Sequence, residues 1–170
     1  MHSSNDNRSG VSRLSAVRPE LAINLPDEAA TSKFAASFAP VIAPGMVIYL
    51  QGDLGAGKTT LVRALLTALG YQGRVKSPTY TLLEQYNVAG QQFRHFDLYR
   101  FRDATEWDTA GFSDEFDRNN ICLVEWPEQA AGLLPPADLE IVFEILPEGR
   151  NIDIYAKTDA GMGCLKSLYN

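Results

Sequence analysis

Cysteine is scarce in this sequence, with Cys122 and Cys164 the only two among 170 residues. They share no metal-ligand spacing and form no disulfide framework, so the fold must rest on its own core, and the chain fits a reducing compartment. Basic charge is also short: 15 lysines and arginines stand against 21 acidic residues, a net charge of −6. Residues 1–18 carry Arg8, Arg13 and Arg18 against Asp6 alone, so the body is more acidic than the total. That excludes a broad phosphate-neutralising face, and any dealing with nucleic acid would pass through a protein partner. Long apolar runs are missing as well, both of membrane-spanning length and of signal-peptide type. The expectation is a cytoplasmic protein with no membrane contact.

What the chain does have is one complete phosphate-binding pattern. Residues 52–59 read Gly-Asp-Leu-Gly-Ala-Gly-Lys-Thr, a G-x-x-x-x-G-K-[ST] loop. Its glycines permit a tight turn with N–H groups pointing inward at a helix N-terminus, which suits a nucleotide β-phosphate. The candidate nucleotide-binding run is therefore Asp53, Leu54, Gly55, Ala56, Gly57, Lys58, Thr59 and Thr60. Lys58 brings positive charge to the β- and γ-phosphates, and the Thr59 hydroxyl is a ligand for Mg²⁺. Context agrees. Residues 46–50 are an apolar, β-rich run after Pro44-Gly45, and Leu61, Val62, Leu65, Leu66 and Leu69 recur at helical spacing until Gly70.

The length suits one domain, expected over 19–158, with a flexible tail at 1–18 and a loose one at 159–170. Residues 21–25 alternate as a strand, and Pro26-Asp27-Glu28 opens a helix with Asp27 as N-cap and Ala30, Phe34, Phe38 and Val41 on one stripe. Residues 79–86 and 93–98 form a hairpin across a turn at 87–90, and 139–146 with 151–157 form another. On the first return arm His95 and Asp97 share a face, and Asp97 ends the strand. Residues 105–118 predict one short helix and part of another. Ile121-Cys122-Leu123-Val124-Glu125 is an apolar strand ending in a carboxylate, the shape of a Walker B strand that delivers Glu125 to the Mg²⁺ shell. The expected fold is α/β, of the P-loop NTPase kind: a mixed central sheet flanked by helices, with β-hairpins.

Residues 52–60, 75–82 (Val-Lys-Ser-Pro-Thr-Tyr-Thr-Leu), 95–100 (His-Phe-Asp-Leu-Tyr-Arg) and 123–127 (Leu-Val-Glu-Trp-Pro) together resemble the TsaE family, formerly YjeE, over about residues 21–157. One departure is 106–111, Glu-Trp-Asp-Thr-Ala-Gly, where the family more often has a leucine-rich helix. The resemblance implies a small ATPase that binds ATP and Mg²⁺, hydrolyses ATP weakly alone, and works with the TsaD and TsaB proteins. It thereby supports threonylcarbamoylation of adenosine 37 in tRNAs reading codons that begin with A. Carried over by motif, Ser77, Pro78 and Thr79 would be a switch near the γ-phosphate, Asp97 an acid in the metal or water shell, and Glu125 the Walker B ligand. Trp126 would lie beside the site, and Glu28, Gly149 and Arg150 near the base end of the nucleotide.

Lys58, Asp97 and Glu125 are thus the candidate catalytic residues, and Thr59, Glu125 and Asp97 the candidate metal ligands. The chemistry asks for a water oriented in line with the γ-phosphate and for neutralisation of its developing charge. Arg100 and Arg102 follow Asp97 and are candidates for an arginine finger; without one in cis, turnover should await a partner. The rival readings are a small P-loop kinase and a nucleotide-sensing module that needs no turnover.

Overall fold

Strand β5 (Asn120–Glu125) is buried along its whole length, as a parallel strand covered on both faces must be. Its side chains alternate between two cores. Ile121 and Leu123 join one, while Cys122 and Val124 join the other. The computed structural model describes residues 17–169, so most of the expected N-terminal tail lies outside the described residues.

In chain order the elements before β5 are β1 (Leu21–Leu25), α1 (Glu28–Phe38), β2 (Val47–Gln51), α2 (Lys58–Ala68), β3 (Leu83–Val88), β4 (Gln91–Asp97) and α3 (Ala104–Ala110). After it come β6 (Leu139–Ile145), β7 (Arg150–Ala156) and α4 (Asp159–Leu168). They build one seven-stranded sheet in the order β1-β7-β6-β2-β5-β4-β3. The inner strands β6, β2, β5 and β4 run parallel, and the antiparallel pairings at both margins make the sheet mixed. This is the α/β fold expected from the sequence, and both hairpins are present.

Local chemistry sets these elements. Asp27 caps α1 by accepting from Ala30 N at 2.8 Å, and Phe34 and Phe38 carry the buried stripe onto the sheet. Ala89 and Gly90, at φ 52° and 74°, make the two-residue turn between β3 and β4, which needs positive φ at both positions. On the face opposite α1 and α2, Trp107 is 1 % exposed and packs against Phe96, Phe101, Phe112 and Phe116. One large indole thus fills the layer that the resemblance would give to a leucine-rich helix.

Two expectations are corrected. Residues 79–82 do not extend β3, because Leu82 N donates to Pro78 O at 2.7 Å and Leu82 takes φ 65°, closing a turn. Residues 159–170 are not a loose tail: α4 occupies most of them, capped by the Thr158 hydroxyl, which accepts from Gly161 N at 3.1 Å. Gly161 and Gly163 lower helix propensity in the sequence, but Gly161 is there for packing. A Cβ on it would collide with the carbonyl oxygen of Asp138. Cys164 and Leu165 then bury against the sheet.

The tip of the second hairpin shows the same device. Gly149 has φ 70°, and a Cβ there would strike Leu25 O and Pro26. Gly149→Ala should cost about 1–3 kcal/mol, or roughly 3–10 °C in Tm. Gly163 has open space around it in α4, so Gly163→Ala should stabilise by about 0.5–1 kcal/mol. Thermal denaturation of the two variants beside the parent checks the contrast.

Candidate functional site

Residues 52–57 link β2 to α2, and Gly57, at φ 105°, is the left-handed residue from which the helix starts. The free N–H groups of the first turn of α2 therefore face the loop's hollow. Beside β2, β5 runs parallel and ends at Glu125, and beside that β4 ends at Asp97. Asp97 and Glu125 are register partners. Both share the parity of Phe93, Ile121 and Leu123, so they project toward α2, where Lys58 and Thr59 begin.

The result is a cleft of about 370 Å³. Leu54, Gly55, Ala56 and Gly57 line it from the loop, and Lys58, Thr59 and Thr60 from the helix. Asp97 and Glu125 form its floor, with Ser77, Thr79, Tyr99, Arg100, Trp126 and Arg150 around the rim. Asp53 contributes through its backbone, its carbonyl accepting from Ala56 N at 3.0 Å. Pro78 and Gly149 do not line the cleft; they lie in the turn at 78–82 and at the hairpin tip respectively. Glu28 lies in an adjoining hollow of about 260 Å³ that it shares with Thr60 and Arg63. Arg102 is not on the wall; Arg100 is, its guanidinium 4.7 Å from the Tyr80 ring.

Thr59 Oγ1 donates to Glu125 Oε2 at 2.8 Å, joining the loop helix to the end of β5. Asp97 accepts from Tyr99 N at 3.0 Å through Oδ1, and Ser77 Oγ stands 3.5 Å from Oδ2 and 2.8 Å from Thr79 Oγ1. Lys58 Nζ donates to the carbonyls of Gly52 and Asp53 and lies 3.9 Å from the centre of the Trp126 ring. Burial pulls the Lys58 ammonium down from its ordinary pKa, opposed by Glu125 and Asp97. Burial pushes the Asp97 carboxyl up; the Tyr99 N–H counters this and the Glu125 charge adds to it.

The donor set fits a hard cation: a threonine hydroxyl and two carboxylates, all oxygen. No group of three or more His, Cys, Asp or Glu among the described residues is arranged to hold a metal alone. The hydroxyl and two carboxylates suit Mg²⁺, which takes one or two carboxylates and completes its shell with phosphate and water. The cleft also fits an anion. Arg150 Nη1 is buried without a hydrogen-bond partner among the described residues, and a Cβ on Gly57 would coincide with it. The resemblance puts Arg150 toward a base, whereas its guanidinium abuts the phosphate loop. His95 and Tyr99 were given no role from the sequence, although the alternation of His95 with Asp97 carried the signal.

The family model described as "Threonylcarbamoyl adenosine biosynthesis protein TsaE" matches residues 25–152. The tRNA threonylcarbamoyladenosine biosynthesis protein TsaE of Haemophilus influenzae is 43 % identical over 151 residues, 86 % of this chain and 96 % of that one. The chain belongs to the TsaE family. A second TsaE, from Bacillus subtilis, is 38 % identical over 72 % of this chain and 74 % of its own. The crystal structure of Bacillus subtilis YdiB superposes with a TM-score of 0.77 at 28 % identity, covering 91 % of this chain and 97 % of that one. TsaE proteins take part in making threonylcarbamoyladenosine in tRNA, and the cleft is the place in this TsaE-family chain where a phosphate loop, two carboxylates and the 77–79 segment meet.

Burial sets the folded pKa of Asp97 above the unfolded one, so ionising this carboxyl costs the native state stability. Asp97→Asn, measured without nucleotide or cation, should therefore raise Tm at pH 7. The gap should narrow as pH falls through the raised range, where the native carboxyl takes up its proton and becomes neutral like the amide. A pH series of melting curves checks both the sign and the window.

Proposed function

We propose that this chain is a Mg²⁺-dependent ATPase, weak by itself, that supports threonylcarbamoylation of adenosine 37 in tRNAs reading codons that begin with A, acting with TsaD and TsaB in the cytoplasm. The observation that carries the reading is the convergence on one cleft of Lys58 and Thr59 with the register-paired carboxylates Asp97 and Glu125. Membership in TsaE supports the pathway. The acidic body supports contact with tRNA through proteins and not through a basic face of its own.

In this reading the N–H groups of the loop and the start of α2 hold the β-phosphate, and Lys58 and Arg150 meet the phosphate oxygens. Thr59, Glu125 and Asp97 would hold Mg²⁺, which supplies charge neutralisation to the phosphates when bound. Asp97 or Glu125 orients the water whose oxygen bonds to the γ-phosphorus as the bond to the ADP oxygen breaks. Ser77 and Thr79 sit where they can answer to the γ-phosphate, since Ser77 already leans on Asp97.

The resting places of the cations support weak turnover alone. Lys58 is held by loop carbonyls and Trp126, and Arg100 by Tyr80. A docked partner that orders the rim would free them for phosphate. Purified protein should therefore hydrolyse ATP slowly and respond strongly to matching TsaB and TsaD, with Lys58→Ala lowering the stimulated rate by about 10²–10³-fold. Glu125→Gln should keep ATP binding and lose the stimulated turnover. Full-speed turnover of the isolated chain without response to the partners, or a partner effect that survives Glu125→Gln, would defeat the reading.

A further inference from the structure

His95 is the most deeply buried polar side chain beside the carboxylates. It lies on β4 at 0 % exposure, and its Nε2 is 2.6 Å from Glu125 Oε2. The same oxygen accepts the Thr59 hydroxyl at 2.8 Å. On the far side of the ring, Nδ1 is buried with no hydrogen-bond partner among the described residues.

That arrangement is costly for a residue that only fills space, because an apolar side chain of similar size would leave no orphaned nitrogen in the interior. What the imidazole adds there is one donor to Glu125. An ionised carboxylate can only accept, so the hydrogen belongs on Nε2; an N–H at Nδ1 would be an unsatisfied buried donor, and Nδ1 is the bare nitrogen. Two donors from two elements, β4 and α2, thus converge on one carboxylate oxygen and fix its side chain. No side-chain hydrogen bond among the described residues reaches the other oxygen, Oε1.

We propose that His95 is a positioning residue: it holds Glu125 by Oε2 so that Oε1 is left for the divalent cation, and so sets how strongly Mg²⁺ supports nucleotide binding. The proposal rests on the reading of the cleft as a Mg²⁺–nucleotide site. Partners standing behind metal ligands in this way tune metal affinity by about 10–100-fold.

The chain has only two histidines, His2 and His95, so a ¹⁵N-imidazole spectrum of the unaltered protein resolves them. His95 should show a protonated Nε2 and a bare Nδ1, and its Nε2 signal should move when Mg²⁺ is added to the ADP complex while His2 stays in place. Binding of a fluorescent ADP, with and without Mg²⁺, gives the second measurement. His95→Leu should lose about 10–100-fold of the affinity gained from Mg²⁺ and keep the Mg²⁺-free affinity. His95→Gln, whose amide nitrogen can take the place of Nε2, should recover most of it. If the leucine variant does not fold, His95→Asn, whose amide falls short of Glu125, is compared with His95→Gln for the same difference. A proton on Nδ1, or variants that melt earlier with the Mg²⁺ gain unchanged, would overturn the proposal alone. A parent protein whose ADP binding ignores Mg²⁺ would overturn it together with the reading on which it rests.

Discussion

Two carboxylates forced side by side at the ends of adjacent parallel strands are the constraint on which this molecule turns. Asp97 and Glu125 face each other in register, 6 % and 3 % exposed. Like charges at neighbouring strand ends in a poorly solvated place repel, and the upward push on the Asp97 carboxyl comes first from burial, with the Glu125 charge adding to it. The fold tolerates the pair because donors surround it: the Thr59 hydroxyl and His95 on Glu125, the Tyr99 N–H on Asp97, and the Lys58 ammonium within coulombic reach of both. Remove the helix start or shift β4 by one residue and the carboxylates lose their partners or turn to the other face.

Holding the pair in register takes a rigid frame, and each side of the sheet supplies half of it. Toward α1 and α2, the core runs through Ile48, Leu50, Phe93, Ile121 and Leu123. Toward α3, Trp107 and the phenylalanines around it clamp β4 and β5 through Phe96, Cys122 and Val124. Burial holds the Cys122 thiol up at about 12, so this sulfur is packing and not chemistry. The hairpin tip adds a third restraint. Gly149 presses on the junction of β1 and α1, and that seats Arg150 against Gly57 at the mouth of the phosphate loop.

The phosphate loop, the strands that flank it, the Asp27 cap and both hairpins were legible in the sequence because each is written in local chemistry: glycines at fixed spacing, a capping carboxylate, alternation, a turn. Asp97 and Glu125 were legible for the same reason, each closing an apolar or alternating run. What was not legible depends on approach between distant parts. The glycines of α4 read as weak helix, since nothing local says that Gly161 must pass within touching distance of Asp138. Residues 79–82 are rich in strand formers, yet Pro78 and the positive φ of Leu82 turn them away from the sheet. His95 could be placed on the face of Asp97, but its bond to Glu125 needed the knowledge that β4 lies directly beside β5.

The cations of the cleft are not equivalent, and their difference bears on what the site does with binding energy. Lys58 has substitutes for an anion: two loop carbonyls and the face of Trp126. Arg100 has Tyr80. Contacts of these kinds are worth about 0.5–3 kcal/mol each, and an incoming anion must exceed them before either side chain moves. Arg150 Nη1 has no hydrogen-bond partner among the described residues, so an anion reaching it would gain a charge-assisted bond without displacing one there. In the proposed reading the arrangement separates holding from acting: the backbone nest and Arg150 are ready as they stand, while Lys58 and Arg100 must first leave the rings of Trp126 and Tyr80. Trp126 and Tyr99 stand at the rim with ring centres 5.0 Å apart, and Tyr80, 83 % exposed, packs outside it against Arg100. In the proposed reading, whatever covers those rings would change what the two cations give up in turning to phosphate, so that a surface outside the chemistry would govern it.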